Sequence, residues 1–293
     1  MKKWGFLIVL IALGYIFLRS SVAMPDPDQT GVPVMELGEA VDGWSAPGRE
    51  ITLDLRNDVY QGDLLLVNKE YPVHAEGVRK DIVRLADERD LDRGYGILDR
   101  DIQLSRKVAE AFRQMVEAAA EEGVRYFLIS SGYRDFDKQQ QLYAEKGSDY
   151  ALPAGHSEHN LGLSLDIGSS LGAMSEAPEG AWLQENAWKY GFILRYPKDK
   201  VNITGIQYEP WHFRYVGLPH SAIMHHKGLV LEQYLELLRE EKRIGVELDG
   251  KRYSITYYPA TSNAKVFIPE EGEYEISGDN MEGVIVTTSN EEQ

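Results

Sequence analysis

The chain has 293 residues, with 47 acidic side chains against 31 basic ones and a formal net charge of -16. That length and apolar content support a folded globular protein, and the negative charge opposes binding to phosphate backbones, so nucleic acid is not an expected partner. Cysteine is absent, which excludes disulfides, thiolate nucleophiles, sulfur-ligated zinc and a lipid-modified N-terminal cysteine; any metal must be held by histidine and carboxylate.

Met1-Lys2-Lys3 precedes an uncharged, mostly apolar run over residues 4–18, followed by Ser21-Val22-Ala23. A basic cap, an apolar stretch and a small-x-small pattern make an export signal, so residues 1–23 are expected to act as a signal peptide or a membrane anchor. Residues 24–49 carry Pro25, Pro27, Pro33 and Pro47 among Gly and Asp, and read as an extended linker.

The folded region is expected from residue 50, with short strands over 51–55 and 64–67. From Ser105, the apolar residues Val108, Phe112, Met115, Val116 and Ala119 recur at spacings of three and four, which predicts a helix ending at Gly123. A strand over 124–130 then runs into Ser131-Gly132-Tyr133-Arg134, and Asp135 or Asp137 caps a second helix that ends at Gly147. Arg134 therefore sits at a strand-to-helix junction, a rigid frame for ligand binding.

Residues 149–157 read as a loop over the site and 161–168 as a strand. Trp182, Trp188 and Tyr190 fall in a helix ending at Gly191, and a strand follows over 192–196. Segments 203–208 and 211–216 are expected to be antiparallel neighbours. Leu231, Tyr234, Leu235 and Leu238 mark an amphipathic helix ending near Lys242. Asp249-Gly250 between two alternating runs is a hairpin signal, and further strands near 266–268 and 284–286 complete a small β module over 244–288, with a polar tail at 289–293.

Of the seven histidines, His74, His220, His225 and His226 lie outside any ligand-like pattern and are read as structural, and His156 is less well spaced than its neighbour His159. His159 and Asp166 bracket a Gly-containing turn and an alternating strand, and His212 completes a set of two imidazoles and one carboxylate. Such a set leaves an open position on one metal ion, as catalytic zinc requires. Glu209, three residues before His212 and stiffened by Pro210, is placed to take a proton from water and return it to a leaving amine. The guanidinium of Arg134 suits a terminal carboxylate or an oxyanion. Gln139, Ser157 and Trp211 are candidates for further donors and an apolar wall.

Several separated motifs together resemble the VanY-type D-alanyl-D-alanine carboxypeptidases. These are Ser131-Gly132-Tyr133-Arg134 with Gln139 and Leu142-Tyr143; Ser157-x-His159-x-x-Gly162-x-x-x-Asp166; Trp182-Leu183; Tyr190-Gly191-Phe192-Ile193; Arg195-Tyr196-Pro197; and Tyr208-Glu209-Pro210-Trp211-His212 continuing to Gly217. The resemblance covers about residues 60 to 225. It implies a zinc-dependent peptidase of the α+β class: a small antiparallel sheet with flanking helices holding a single zinc site, here within a catalytic domain over 50–243.

By the same resemblance, His159, Asp166 and His212 match zinc ligands, Glu209 the catalytic base, Arg134 the substrate-carboxylate and oxyanion contact, and Gln139, Ser157, Tyr196 and Trp211 positions that line the substrate site. The implied substrate is the stem peptide of bacterial peptidoglycan, or its precursor, outside the cytoplasmic membrane. Asp135-Phe136-Asp137 replaces the more usual Ser-Tyr-Glu after the arginine, which touches specificity rather than ligands. Two rivals stand beside this reading. One is an L,D-carboxypeptidase trimming tetrapeptides; the other is a non-catalytic zinc-containing binding module like the hedgehog domains, against which intact Glu209 and Arg134 argue.

Overall fold

The computed structural model describes residues 37–38, 48–91, 94–147, 152–260, 264–270 and 272–291. The expected export segment, most of the linker and the first three residues of the loop at 149–157 lie outside the described residues. In chain order the strands are β1 (Leu37–Gly38), β2 (Gly48–Thr52), β3 (Ile82–Arg84), β4 (Gly96–Ile97), β5 (Gln103–Ser105), β6 (Phe127–Ser131) and β7 (Ser164–Ser169). They continue with β8 (Phe192–Leu194), β9 (His212–Tyr215), β10 (Arg243–Leu248), β11 (Lys251–Pro259), β12 (Lys265–Pro269), β13 (Glu273–Gly278) and β14 (Gly283–Glu291). The longer helices are α1 (Arg106–Glu121), α2 (Phe136–Lys146), α3 (Pro178–Asn186), α4 (His220–Lys227) and α5 (Leu231–Glu241).

A five-stranded sheet in the order β4-β6-β7-β9-β8 carries the site. Its strands pair antiparallel except for β4 with β6. Successive side chains of a strand point to opposite faces, and here the alternation sorts core from chemistry. Leu165 and Ile167 of β7 and Phe213 and Tyr215 of β9 join a hydrophobic cluster with Val108, Phe112 and Met115 of α1. Asp166 and His212 therefore share the other face, where the register pairs them directly, and Ser164 faces Arg214 beside them.

Helix α1 is held by its buried stripe. Ser105 at its N-cap makes no capping bond; its hydroxyl donates to Asp81 Oδ2 at 2.8 Å, and the same oxygen accepts the Lys107 amide at 3.1 Å. A cap contributes about 1 kcal/mol, whereas each fully buried large apolar side chain contributes roughly 1.5–3 kcal/mol. Packing of Val108, Phe112 and Met115 decides the helix.

The C-terminal strands form a second antiparallel sheet, β1-β10-β11-β14-β13. The β10–β11 turn has Asp249 at φ 53° and Gly250 at φ 73°, the left-handed pair that such two-residue hairpins require. Ile244, Val246, Ile255 and Ile285 of this sheet share a cluster with Leu231, Leu235 and Leu238 of α5 and with Ile223 and Met224 of α4. Strand β14 is buried on both sides, because its Val284 and Val286 enter a third cluster with Leu53, Leu55, Val266 and Ile268.

The expected linker also contributes to the fold. Leu37–Gly38 pairs with β10, and β2, which begins at Gly48, pairs with β12.

Two expected strands are not strands. Residues 64–67 keep the alternation, but Leu65 and Val67 fill the first cluster while Leu64 and Leu66 fill the second. Their backbone bonds go to loops and side chains, with the Leu64 amide donating to Ser277 Oγ and the Leu66 amide to the Asp279 carbonyl. Residues 203–208 contain the end of a helical turn, Val201–Thr204, stopped by Gly205 in the left-handed region. Residue 205 cannot extend such a segment, and β9 takes β7 and β8 as neighbours instead. Strand β13, not expected from the sequence, closes the edge of the second sheet.

Candidate active site

Three backbone frames bring the expected ligands together. Asp166 and His212 come from paired strands. His159 sits on the 3-10 turn Glu158–Asn160, which starts at Ser157. That turn is tied to the segment carrying Arg134: the Arg134 amide donates to the His159 carbonyl at 3.1 Å, Asn160 Nδ2 donates to the Arg134 carbonyl at 2.7 Å, and His159 Nδ1 donates to the Gly132 carbonyl at 2.6 Å. A side chain at residue 132 would meet the Gln103 carbonyl at 2.2 Å, so only glycine lets this segment pass. The pairing of Ser-Gly-Tyr-Arg with Ser-x-His-x-x-Gly in the sequence thus has a physical basis in hydrogen bonds between them.

One donor atom from each of His159, Asp166 and His212 lies within 4.8 Å of the others. Asp166 Oδ1 is 3.4 Å from His159 Nε2 and 3.3 Å from His212 Nδ1, and it is buried without a hydrogen-bond partner. The two imidazole rings stand at 89° to each other. Two neutral nitrogens and one carboxylate oxygen converging on a point, with the carboxylate oxygen orphaned, fit a single divalent ion of the zinc type.

Electrostatics agree with that fit. Burial would raise the Asp166 carboxyl, but His159 and His212 hold it well below the usual carboxylate range. Burial pulls the His212 imidazole down, yet the carboxylates of Asp166 and Glu158 outweigh it and lift it to about 9. Those carboxylates favour a cation at His212 Nδ1, a proton or the ion. His159 is lowered, by burial and by the nearby Arg134 charge.

Glu209 Oε2 is 3.6 Å from His212 Nδ1. The turn that carries it is pinned at both ends, with the Glu209 amide on the Tyr196 carbonyl and the His212 amide on the Glu209 carbonyl, and Pro210 fixes φ between them. Burial, aided by Asp166, raises the Glu209 carboxyl above its ordinary value, while His212 and Arg134 oppose the rise. A raised carboxyl is what a proton shuttle near neutral pH needs.

Every site residue expected from the sequence lines one cleft of about 430 Å³. Arg134 lies over Ser131 Oγ and Ser157 Oγ at 3.4 and 3.5 Å, and its buried Nε has no partner. Gln139 donates to the Leu152 carbonyl at 2.6 Å, leaving its Oε1 buried and unpartnered. The Tyr196 ring packs 4.9 Å from the His212 ring, and Trp211 is 42% exposed at the cleft wall. Lys69 also lines the cleft.

The residues that sequence reasoning missed lie behind the ligands. Glu158 Oε2 is 3.4 Å from His212 Nε2, and Glu158 accepts from Arg195 Nε at 2.8 Å and Arg214 Nη1 at 2.9 Å. Arg195 and Arg214 are fully buried. The available signal was a charged residue inside an apolar run, Arg214 between Phe213 and Tyr215, because a buried arginine demands a buried carboxylate.

An α+β frame, a histidine-aspartate-histidine cluster open to a cleft, a raised carboxyl beside it and a half-buried guanidinium define the class: a metal-dependent hydrolase. The family model for VanY, D-alanyl-D-alanine carboxypeptidase, matches residues 101–218. A D-alanyl-D-alanine carboxypeptidase of Enterococcus faecium is 53% identical over 296 residues, covering 98% of this chain and 96% of the relative. Among solved structures, the vancomycin-resistance D,D-dipeptidase VanXYg, in complex with a D-Ala-D-Ala phosphinate analog, matches with a TM-score of 0.73 at 32% identity, covering 83% of this chain and all of its own. VanYB in complex with D-alanine-D-alanine matches with a TM-score of 0.51 at 32% identity, over 59% of this chain and 97% of its own. The chain belongs to the VanY family of D-alanyl-D-alanine carboxypeptidases and is a carboxypeptidase.

Proposed function

We propose that the protein removes the terminal D-Ala from peptidoglycan stem peptides or their precursors, with one zinc ion held by His159, Asp166 and His212. The observation that carries this reading is the convergence of the three ligand atoms in the cleft that also holds Glu209 and Arg134. Bound there, zinc supplies Lewis-acid chemistry at the scissile carbonyl. Glu209 takes the proton of the attacking water and passes it to the leaving D-Ala amine. The Arg134 guanidinium, with its Nε free of protein partners among the described residues, binds the terminal carboxylate or the developing oxyanion. Ser157, Gln139, Tyr196 and Trp211 wall the substrate, and Gln139 Oε1 offers an acceptor to a peptide N–H.

In this reading residues 50–243 carry the catalytic machinery and the strands β10 to β14 form the β module, with residues 289–291 of the expected polar tail inside β14. The substrate places the enzyme outside the cytoplasmic membrane, at the cell wall, and the apolar run at 4–18 suits export or anchoring. Among the described residues no helix is long and apolar enough to cross a membrane.

The test is Glu209→Ala. It is expected to bind zinc like the parent and to lose on the order of 10²–10⁴-fold in kcat, the usual contribution of a general base. Parental turnover in a zinc-loaded Glu209→Ala protein would end this mechanism.

A further inference from the structure

His159 and His212 are braced differently. His159 Nδ1 rests on a neutral acceptor, the Gly132 carbonyl, at 2.6 Å. His212 Nε2 rests on a carboxylate, Glu158, at 3.4 Å. Glu158 is itself wholly buried and accepts from Arg195, Arg214 and, at 3.2 Å, from Ser164 Oγ.

Arg195 is forked onto Glu232 of α5, at 2.9 and 2.6 Å. Arg214 gives its remaining donors to the carbonyls of Tyr215, Asp63 and Leu65. A buried group of two carboxylates and two guanidiniums is weak evidence of stabilisation, because apolar residues of similar volume commonly serve as well or better. Its contact with a ligand histidine gives it another use.

We propose that Glu158 is a positioning residue of the metal centre: it holds the proton of His212 on Nε2 and so keeps Nδ1 bare, facing Asp166, for the ion. An imidazole keeps its proton on the nitrogen that has the acceptor, and such outer carboxylates fix ring orientation and raise ligand basicity. Arg195 and Arg214 anchor Glu158 so that its second oxygen stays on His212, and Glu232 anchors Arg195 in turn. This inference rests on the zinc reading above.

Glu158→Gln tests it. Between two guanidiniums that only donate, the amide turns its oxygen to them and its NH2 to His212 Nε2. The ring then carries its proton on Nδ1, where the ion must bind. Zinc affinity, measured by chelator competition on variant protein whose fold is verified by circular dichroism, is expected to fall roughly 10–100-fold.

In the zinc-loaded parent, ¹H–¹⁵N spectra of histidine-labelled protein are expected to show the His212 proton on Nε2. Where the variant does not fold, the shift of that proton decides: a downfield position shows its bond to the Glu158 carboxylate, and the position of an unbonded imidazole N–H overturns the inference. Unchanged zinc affinity in folded Glu158→Gln, or a parent proton on Nδ1, overturns the inference and leaves the zinc reading intact. A parent that binds no zinc overturns both.

Discussion

Arg134 is the residue where burial and chemistry conflict most openly. Burial pulls its guanidinium below the ordinary value, Asp166 and Glu209 oppose that, and its Nε is buried without a partner. A protein that leaves a buried donor unpaired forfeits about 1–3 kcal/mol, a cost that a substrate carboxylate in the cleft would offset. Arg134→Lys keeps the charge and loses the planar fork. Steady-state kinetics on a stem pentapeptide are expected to show kcat/KM lower by roughly 10²–10³-fold with zinc affinity unchanged. Parental kinetics in this variant would remove Arg134 from the chemistry. The ligands were legible in the sequence because they fall in two short motifs, His159 with Asp166 and Glu209 with His212. Glu158 was not, because Arg195 and Arg214, which bond to it, and Glu232, which bonds to Arg195, come from separate parts of the chain and only packing joins them.

At the scale of elements, α1, α2, α5 and the β10–β11 hairpin follow from local signals: a stripe at spacings of three and four, an Asp cap, and Asp249-Gly250. Asp135 does cap α2, accepting the Lys138 amide at 2.7 Å. Residues 64–67 and 203–208 depart from the expected strands because a short run bounded by turn residues does not reveal whether its backbone pairs with a strand or with loops. His220, read as structural, links α4 to the second sheet: its Nδ1 is 2.7 Å from the Tyr234 hydroxyl and its Nε2 is 3.1 Å from Thr287 Oγ1. Burial lowers its imidazole to about 3, with Asp63 opposing and Lys107 assisting.

The unfolded chain binds a proton at this histidine near pH 6.5, whereas the folded chain resists it down to about pH 3. The contribution is fully present above pH 6.5 and declines as pH falls between those values, by about 1.4 kcal/mol per pH unit. Urea unfolding at several pH values should show His220→Gln with a shallower pH dependence than the parent over that window. Equal slopes would mean that His220 is accessible to protons in the folded state.

For the whole molecule, the shared clusters decide how the catalytic part and the C-terminal sheet behave. Ile285 of β14 packs with Leu231 and Leu235 of α5 and with Val216, which follows the strand bearing His212. The Asn280 side chain donates to the carbonyls of Leu66 and Pro72, at 2.8 and 2.9 Å. Because both clusters that contain the C-terminal strands also contain residues of the catalytic part, calorimetry is expected to give a single cooperative transition for residues 48–291. Ile285→Ala should lower stability by about 2–5 kcal/mol and shift the whole transition together. Two resolved transitions, with only one moved by the substitution, would show that the β module folds on its own.

Metal-dependent removal of one D-Ala is tested by incubation with a stem pentapeptide. Mass analysis should show loss of a single alanine, abolished by a chelator and restored by zinc, with the corresponding tetrapeptide left intact. An untouched pentapeptide, or cleavage indifferent to the chelator, would contradict the account; cleavage of the tetrapeptide alone would make the enzyme an L,D-carboxypeptidase.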